Sequence, residues 1–155
     1  MRVDSLARGL SRRVGRVSHA PAIELWRRQD SIFKLTGAEA AARYGLMAHY
    51  TRKPLADLMR QGGSIGLDAG CWLTPTPYSA CMAPYDLGLN DPRDSVLIVD
   101  VTGLNELWGP GTALPSQRYH SIWQGGGMEF YCPSPIPFLN VVAVQDLEPC
   151  GDQHR

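Results

Sequence analysis

Over the whole chain there is no excess of charge, since Lys+Arg and Asp+Glu both number 15 in 155 residues. A global electrostatic attraction to nucleic acid or to a membrane surface is therefore not indicated. The chain also lacks any apolar run near the ~18 residues of a membrane span, and lacks the apolar core of a secretory signal. The expectation is a soluble domain with no membrane partner. Its four cysteines, Cys71, Cys81, Cys132 and Cys150, form no C-x-x-C pair, and three of the four histidines (His19, His49 and His120) stand far from them in sequence. That spacing fits no zinc framework, so no metal is expected. Cys71, Cys81 and Cys132 lie among apolar or small residues, which makes buried thiols the expectation and an oxidised pair the alternative. Internal repeats and low-complexity tracts are missing too.

What is there reads as globular: 44% apolar residues, 19% charged. A chain of ~150 residues buries roughly 70% of its unfolded surface, enough for one domain with a sizeable core. Charge is uneven locally. Arg2, Arg8, Arg12, Arg13, Arg16, Arg27 and Arg28 crowd the N-terminus against Asp4 and Glu24. Val3, Leu6, Leu10, Val14 and Val17 recur at helical spacing in the same stretch. The combination resembles an organellar transit peptide; the plainer reading is a basic helix packed on the domain or linking it to something upstream.

The pattern predicts helical or irregular chain over 1–18 and 21–34. A helix follows over 36–43, with Thr36 as N-cap and its end near Gly45. "LMAHYT" reads as a strand. The next helix, over 53–61, has Pro54 in its first turn, Leu55, Leu58 and Met59 on one side, and Gly62-Gly63 as its stop. "SIGL" and "GCWLTP" read as short extended pieces, and "YSACMAPY" as a short helix. The β-branched run "SVLIVDVTGL" is the strongest strand signal. A Gly/Pro-rich loop is expected over 108–118, then strands in "MEFYC" and "FLNVVAVQDL". Helices come early and strands late, so the class is α+β with largely antiparallel sheets.

Three pieces carry chemistry. They are His49-Tyr50-Thr51 on a strand ahead of a helix and a Gly-Gly turn; Gly70-Cys71-Trp72-Leu73-Thr74-Pro75, followed by Tyr78 and Tyr85; and Gly125-Gly126-Gly127-Met128-Glu129-Phe130 ahead of "CPSPIP". In order and spacing they resemble the ADP-ribosyltransferase superfamily, in its His–aromatic–Glu branch of diphtheria-toxin-like enzymes, poly(ADP-ribose) polymerases and bacterial polymorphic-toxin domains. The resemblance covers about residues 46–148. It implies two small, mainly antiparallel sheets forming a split core with helices, and N-terminal helices packed outside. The corresponding division is a basic helical segment 1–45, a catalytic domain 46–150 and a tail 151–155.

The resemblance also implies a reaction: NAD, as co-substrate, loses nicotinamide and passes ADP-ribose to an acceptor. Its transition state is an oxocarbenium-like cation, which a fixed carboxylate favours more than it favours the ground state. Glu129 would be that carboxylate and would also hold a ribose hydroxyl. The glycines before it would let backbone approach the ligand. His49 would orient the adenosine-side ribose, the Tyr50 backbone would meet the nicotinamide amide, and the Thr51 hydroxyl would brace the strand. Thr74 completes the Gly-x-aromatic-x-Thr step. A ring stacked on cationic nicotinamide gains about 0.5–2 kcal/mol, and Trp72, Tyr78 and Tyr85 are the candidates.

Each piece has a plainer reading as well. His49 and Trp72 fit a core, Glu129 fits a water-facing position by strand alternation, and "QGGG" fits a flexible turn. Relatives usually have tyrosine where Trp72 stands and often glycine where Tyr50 stands. Arginine-modifying members have Glu or Gln two residues before the catalytic acid, where this chain has Gly127. The acceptor is then another protein side chain, nucleic acid, a small molecule or water, the last making an NAD glycohydrolase. A non-catalytic nucleotide- or protein-binding module on the same fold is the competing class, and a metal hydrolase lacks its ligands. By resemblance the domain is a bacterial toxin or effector with an immunity protein as partner. It would act in the cytosol of a producing or target cell, or be secreted or injected within a larger effector.

Overall fold

The computed structural model describes residues 23–66, 70–89, 92–118 and 121–150, and the expectations for 1–22 and for the tail 151–155 lie outside them. The apolar run predicted as the strongest strand becomes β5 (Ser95–Val99), the centre of a three-stranded sheet between β2 (Met47–Thr51) and β11 (Val141–Asp146). Both pairings are antiparallel, with β2 running from Met47↔Val99 to Thr51↔Ser95. Such a central strand is apolar on both sides because both faces are covered. Met47, Leu97 and Val99 enter one core cluster; Ala48, Tyr50 and Val96 enter a second on the opposite face.

The larger sheet has the order β1 (Phe33–Leu35), β6 (Leu107–Thr112), β9 (Met128–Cys132), β4 (Cys71–Leu73), also antiparallel throughout. Its inner face contributes Cys71, Leu73, Leu107, Phe130 and Cys132 to the first cluster, so the two sheets share that core. Two short ladders complete the strands, β3 (Ser64–Ile65) with β10 (Ile136–Pro137), and β7 (Ser116–Arg118) with β8 (Ser121–Trp123). The α+β class with small antiparallel sheets is what the sequence predicts.

Residues 23–27 form a first helix, α1. Helix α2 (Gly37–Tyr44) starts as predicted, because Thr36 and Glu39 make a capping box: Glu39 N donates to Thr36 Oγ1 at 3.1 Å and Thr36 N to Glu39 Oε1 at 2.8 Å. Gly37 is needed for sterics, since a Cβ there would lie 1.8 Å from the Val101 carbonyl oxygen. Helix α3 (Lys53–Gly62) ends at Gly63, whose φ of 81° is left-handed. Its expected apolar side needs correction. Ala56 is the buried residue and Met59 is partly buried, while Leu55 and Leu58 are exposed at 40% and 61%. A helix that meets the core along one narrow strip buries one residue per turn and leaves its neighbours outside. The helix expected over 78–85 lies further on, as α4 (Met82–Leu87).

Three further expectations are corrected. The Gly/Pro-rich stretch expected as a loop over 108–118 contains β6, which pairs with β1 on one side and β9 on the other. A register shift between Trp108 and Gly111 places Pro110, which has no N–H, at an irregularity of the ladder, and a Cβ on Gly109 would lie 2.5 Å from the Phe130 ring. The division at residue 45 does not correspond to a structural boundary either. β1 belongs to the main sheet, and Leu35, Ala40 and Tyr44 pack into the shared core. Finally, Cys81 is not a free thiol but is bonded to Cys150, whereas Cys71 and Cys132 are free and buried.

Candidate active site

The two sheets meet at one isolated bridge between β2 and β4. Ala48 N donates to Thr74 O at 2.7 Å, and Thr74 N returns to Ala48 O at 3.0 Å. Beyond that rung the His49 side chain takes over. Its Nδ1 lies 2.9 Å from the Trp72 carbonyl oxygen and 3.5 Å from Cys71 Sγ. A carbonyl only accepts, so Nδ1 carries the proton, and a neutral ring held this way has Nε2 as its acceptor nitrogen. By alternation, the Tyr50 N–H and C=O point the same way as those of Ala48, away from β5 and toward the gap where β2 and β4 separate.

Glu129 lies on β9 with Gly111 of β6 as its register partner. The β4–β9 register runs Cys71↔Cys132, Trp72↔Tyr131, Leu73↔Phe130; continued by one residue, it sets Thr74 opposite Glu129. Adjacent strands lie ~4.8 Å apart, so two steps, Glu129 to Thr74 to Ala48, span roughly 10 Å and bring the acid to the strand of His49. Phe130 and Cys132 face the shared core, so Glu129 and Tyr131 face the other side of the sheet, together with Trp72 and Thr74. Glu129 is only 5% exposed, so alternation aims it at a covered face rather than at water.

The glycine run before it is tied down on every side. Gly125 N donates to Tyr85 O at 2.9 Å, Gly126 N to Ala113 O at 2.8 Å and Gly127 N to Asp86 O at 2.9 Å. Gly125 and Gly126 have φ of 75° and 93°, a backbone that glycine adopts without strain. The flexible-turn reading of this segment is thereby corrected.

Tyr78 closes the cleft from the loop ahead of α4. Its backbone N–H donates to the Tyr50 hydroxyl, and the two rings meet edge-to-face at 6.1 Å. Burial, then the Asp86 carboxylate, push the Tyr78 phenol above its ordinary range, with Tyr50 and Glu129 adding to the same direction. Burial likewise raises the Tyr50 phenol.

Tyr50, Trp72, Thr74, Tyr78 and Glu129 thus belong to one face at the β2–β4 junction, while His49 sits in the junction itself with its ring against the Trp72 carbonyl and Cys71. The Trp72 ring is engaged by Trp26, edge-on at 5.0 Å, and by Tyr131 at 4.8 Å. Thr74 is buried, and its Oγ1 accepts from Thr76 N at 3.1 Å. Thr51 lies buried at the strand end, its carbonyl accepting from Asp94 N at 3.2 Å. The Tyr85 ring is 40% exposed on α4, and this residue reaches the site through its backbone carbonyl. Sequence reasoning missed Trp26, Gly111 and Tyr131, which pack on the same face of the sheet, Gly111 as the register partner of Glu129 and the two rings against Trp72. A tryptophan within an arginine-rich stretch was the available signal for the first.

No protein-family model matches this chain, and neither a curated protein nor a solved structure is similar to it. Among the described residues no group of three or more His, Cys, Asp or Glu could hold a metal ion, and no helix is long and apolar enough to cross a membrane.

Proposed function

We propose that the cleft is the active site of an NAD-consuming ADP-ribosyltransferase with Glu129 as the catalytic acid residue. The observation that carries this reading is the placement of a 5%-exposed carboxylate two strand steps from the strand that bears a histidine whose Nδ1 is held by a backbone carbonyl. The sites also fit the dinucleotide's needs. The Tyr50 backbone faces the gap as a donor–acceptor pair for the carboxamide. Tyr78 offers a ring packed on Tyr50 at this junction, and it replaces Trp72 as the stacking candidate because Trp72 is taken up by Trp26 and Tyr131.

In the reaction, the bond from ribose C1′ to the nicotinamide nitrogen breaks and the nitrogen keeps the electron pair. Nicotinamide leaves neutral, so the leaving group requires no acid. Positive charge grows on the ribose, and the Glu129 carboxylate stabilises it in a site shielded from water. The acceptor nucleophile then adds to C1′ and gives up its proton. A Cβ at position 127 would lie 2.5 Å from the Tyr78 hydroxyl, so this fold has no room there for the second acid or amide that arginine acceptors need. Another macromolecular nucleophile, or water, is the acceptor. The toxin or effector role, with an immunity protein as partner, rests on the sequence resemblance. The Cys81–Cys150 disulfide supports passage through an oxidising compartment, where such bonds persist.

The purified domain should release nicotinamide from NAD. Glu129→Gln should lower the rate by about 100-fold or more, the scale of lost electrostatic stabilisation, with an unchanged circular dichroism spectrum. Undiminished release by a folded Glu129→Gln protein removes the acid from its assigned role.

A further inference from the structure

Trp26 belongs to none of the sequence motifs, yet its ring lies across the strand that bears Glu129. Strand β9 runs between β6 and β4. Trp26 touches both flanks. It meets the Trp72 ring of β4 edge-on at 5.0 Å, and a Cβ built on Gly111 of β6 would fall 2.5 Å from its Cζ2 and 2.6 Å from its Cε2. The ring edge turned toward Gly111 is therefore the one that carries Nε1, and Gly111 is the register partner of Glu129. Trp26 is 1% exposed, and its Nε1 has no hydrogen-bond partner among the described residues. Buried donors are nearly always satisfied, so an exception marks a place where a ligand atom or a water completes the bond.

We propose that the Trp26 indole N–H contacts substrate, donating to a hydroxyl oxygen of the nicotinamide-side ribose of NAD. This rests on the functional reading above and deepens it. The choice of atom follows from donor and acceptor capacity. An indole N–H only donates, and an ionised carboxylate only accepts. A ligand atom lodged between Trp26 and Glu129 must accept from one and donate to the other. A phosphate oxygen cannot donate to Glu129, and neither can a carboxamide oxygen. A sugar hydroxyl does both. Trp26 is then a binding residue that fixes the ribose where charge develops, and Gly111 is the residue whose missing Cβ lets the ring edge settle there.

Trp26→Phe keeps an aromatic ring over β9 and deletes the N–H. The expected result is a rise of about 5- to 30-fold in KM for NAD in nicotinamide release, the effect of one lost buried hydrogen bond. Tm should fall, because the smaller ring leaves a cavity at a fully buried position, so the readout that reports on the N–H is KM. A folded Trp26→Phe protein with unchanged KM overturns the inference. If Trp26→Phe fails to fold, the isostere 3-benzothienylalanine at position 26 replaces N–H by sulfur at nearly constant shape, with the same expected KM change. Unchanged KM in an active, folded variant sinks this contact alone. A wild-type chain that neither binds NAD by calorimetry nor releases nicotinamide sinks the functional reading, and this inference with it.

Discussion

Burial drives the Tyr131 phenol up to about 12 and the Cys132 thiol up to about 11, from ordinary values of 10.0 and 9.0. Both groups stay protonated in the fold at pH values where the unfolded chain has released its protons. Unfolding then gives off protons, so stability is fully present below about pH 9 and falls as pH climbs toward 12. Urea midpoints measured from pH 8 upward should drop through this window, and Tyr131→Phe should make the decline shallower. An unaltered slope would mean that this phenol titrates normally. At the same scale, the chemistry-bearing residues legible in the sequence were those with a motif around them. His49 and Glu129 stand at fixed offsets from glycines and aromatics. Trp26 comes to lie across the Glu129 strand only through tertiary packing on Trp72 and Gly111, and nothing local in its neighbours encodes that.

Elements were legible where the signal is local. Thr36 and Glu39 announce α2 because both halves of the capping box are three residues apart, and β5 announces itself by β-branched residues on both faces. β6 was hidden because Gly109, Pro110 and Gly111 are turn residues by composition. Only the partners on both sides, with the Phe130 ring over Gly109 and Trp26 over Gly111, explain why a strand passes through them. The α2 contact gives a prediction at this scale. Gly37→Ala drives a methyl into the Val101 carbonyl and also disturbs the Gly37 N to Leu104 O hydrogen bond of 2.7 Å. The expected loss is about 2–3 kcal/mol of unfolding free energy in urea titration, the scale of an overpacked site. Ala38→Gly, on the exposed side of the same helix, should cost less, about 1 kcal/mol.

Across the whole molecule, the Cys81–Cys150 bond closes a loop with a sequence separation of 69 and anchors the chain's far end to the start of α4. No spacing rule pairs cysteines so far apart, which is why the sequence left that choice open. A cross-link over such a loop stabilises by roughly 4 kcal/mol, mainly by restricting the unfolded chain. Unfolding with and without reductant should differ by that order, and Cys81→Ser should abolish the difference. Nicotinamide release should weaken under reduction as well, because the Tyr85 and Asp86 carbonyls of α4 hold the glycine run that precedes Glu129.

The seam between the sheets has one more implication. The imidazole belongs to the smaller sheet and the acid to the larger, and the Ala48–Thr74 rung spaces them. On the proposed reading, the width of the gap between them is gauged by two short backbone hydrogen bonds. Substitutions on remote rims, at β1 or β11, that tilt either sheet would detune turnover while every side chain in the cleft stays in place.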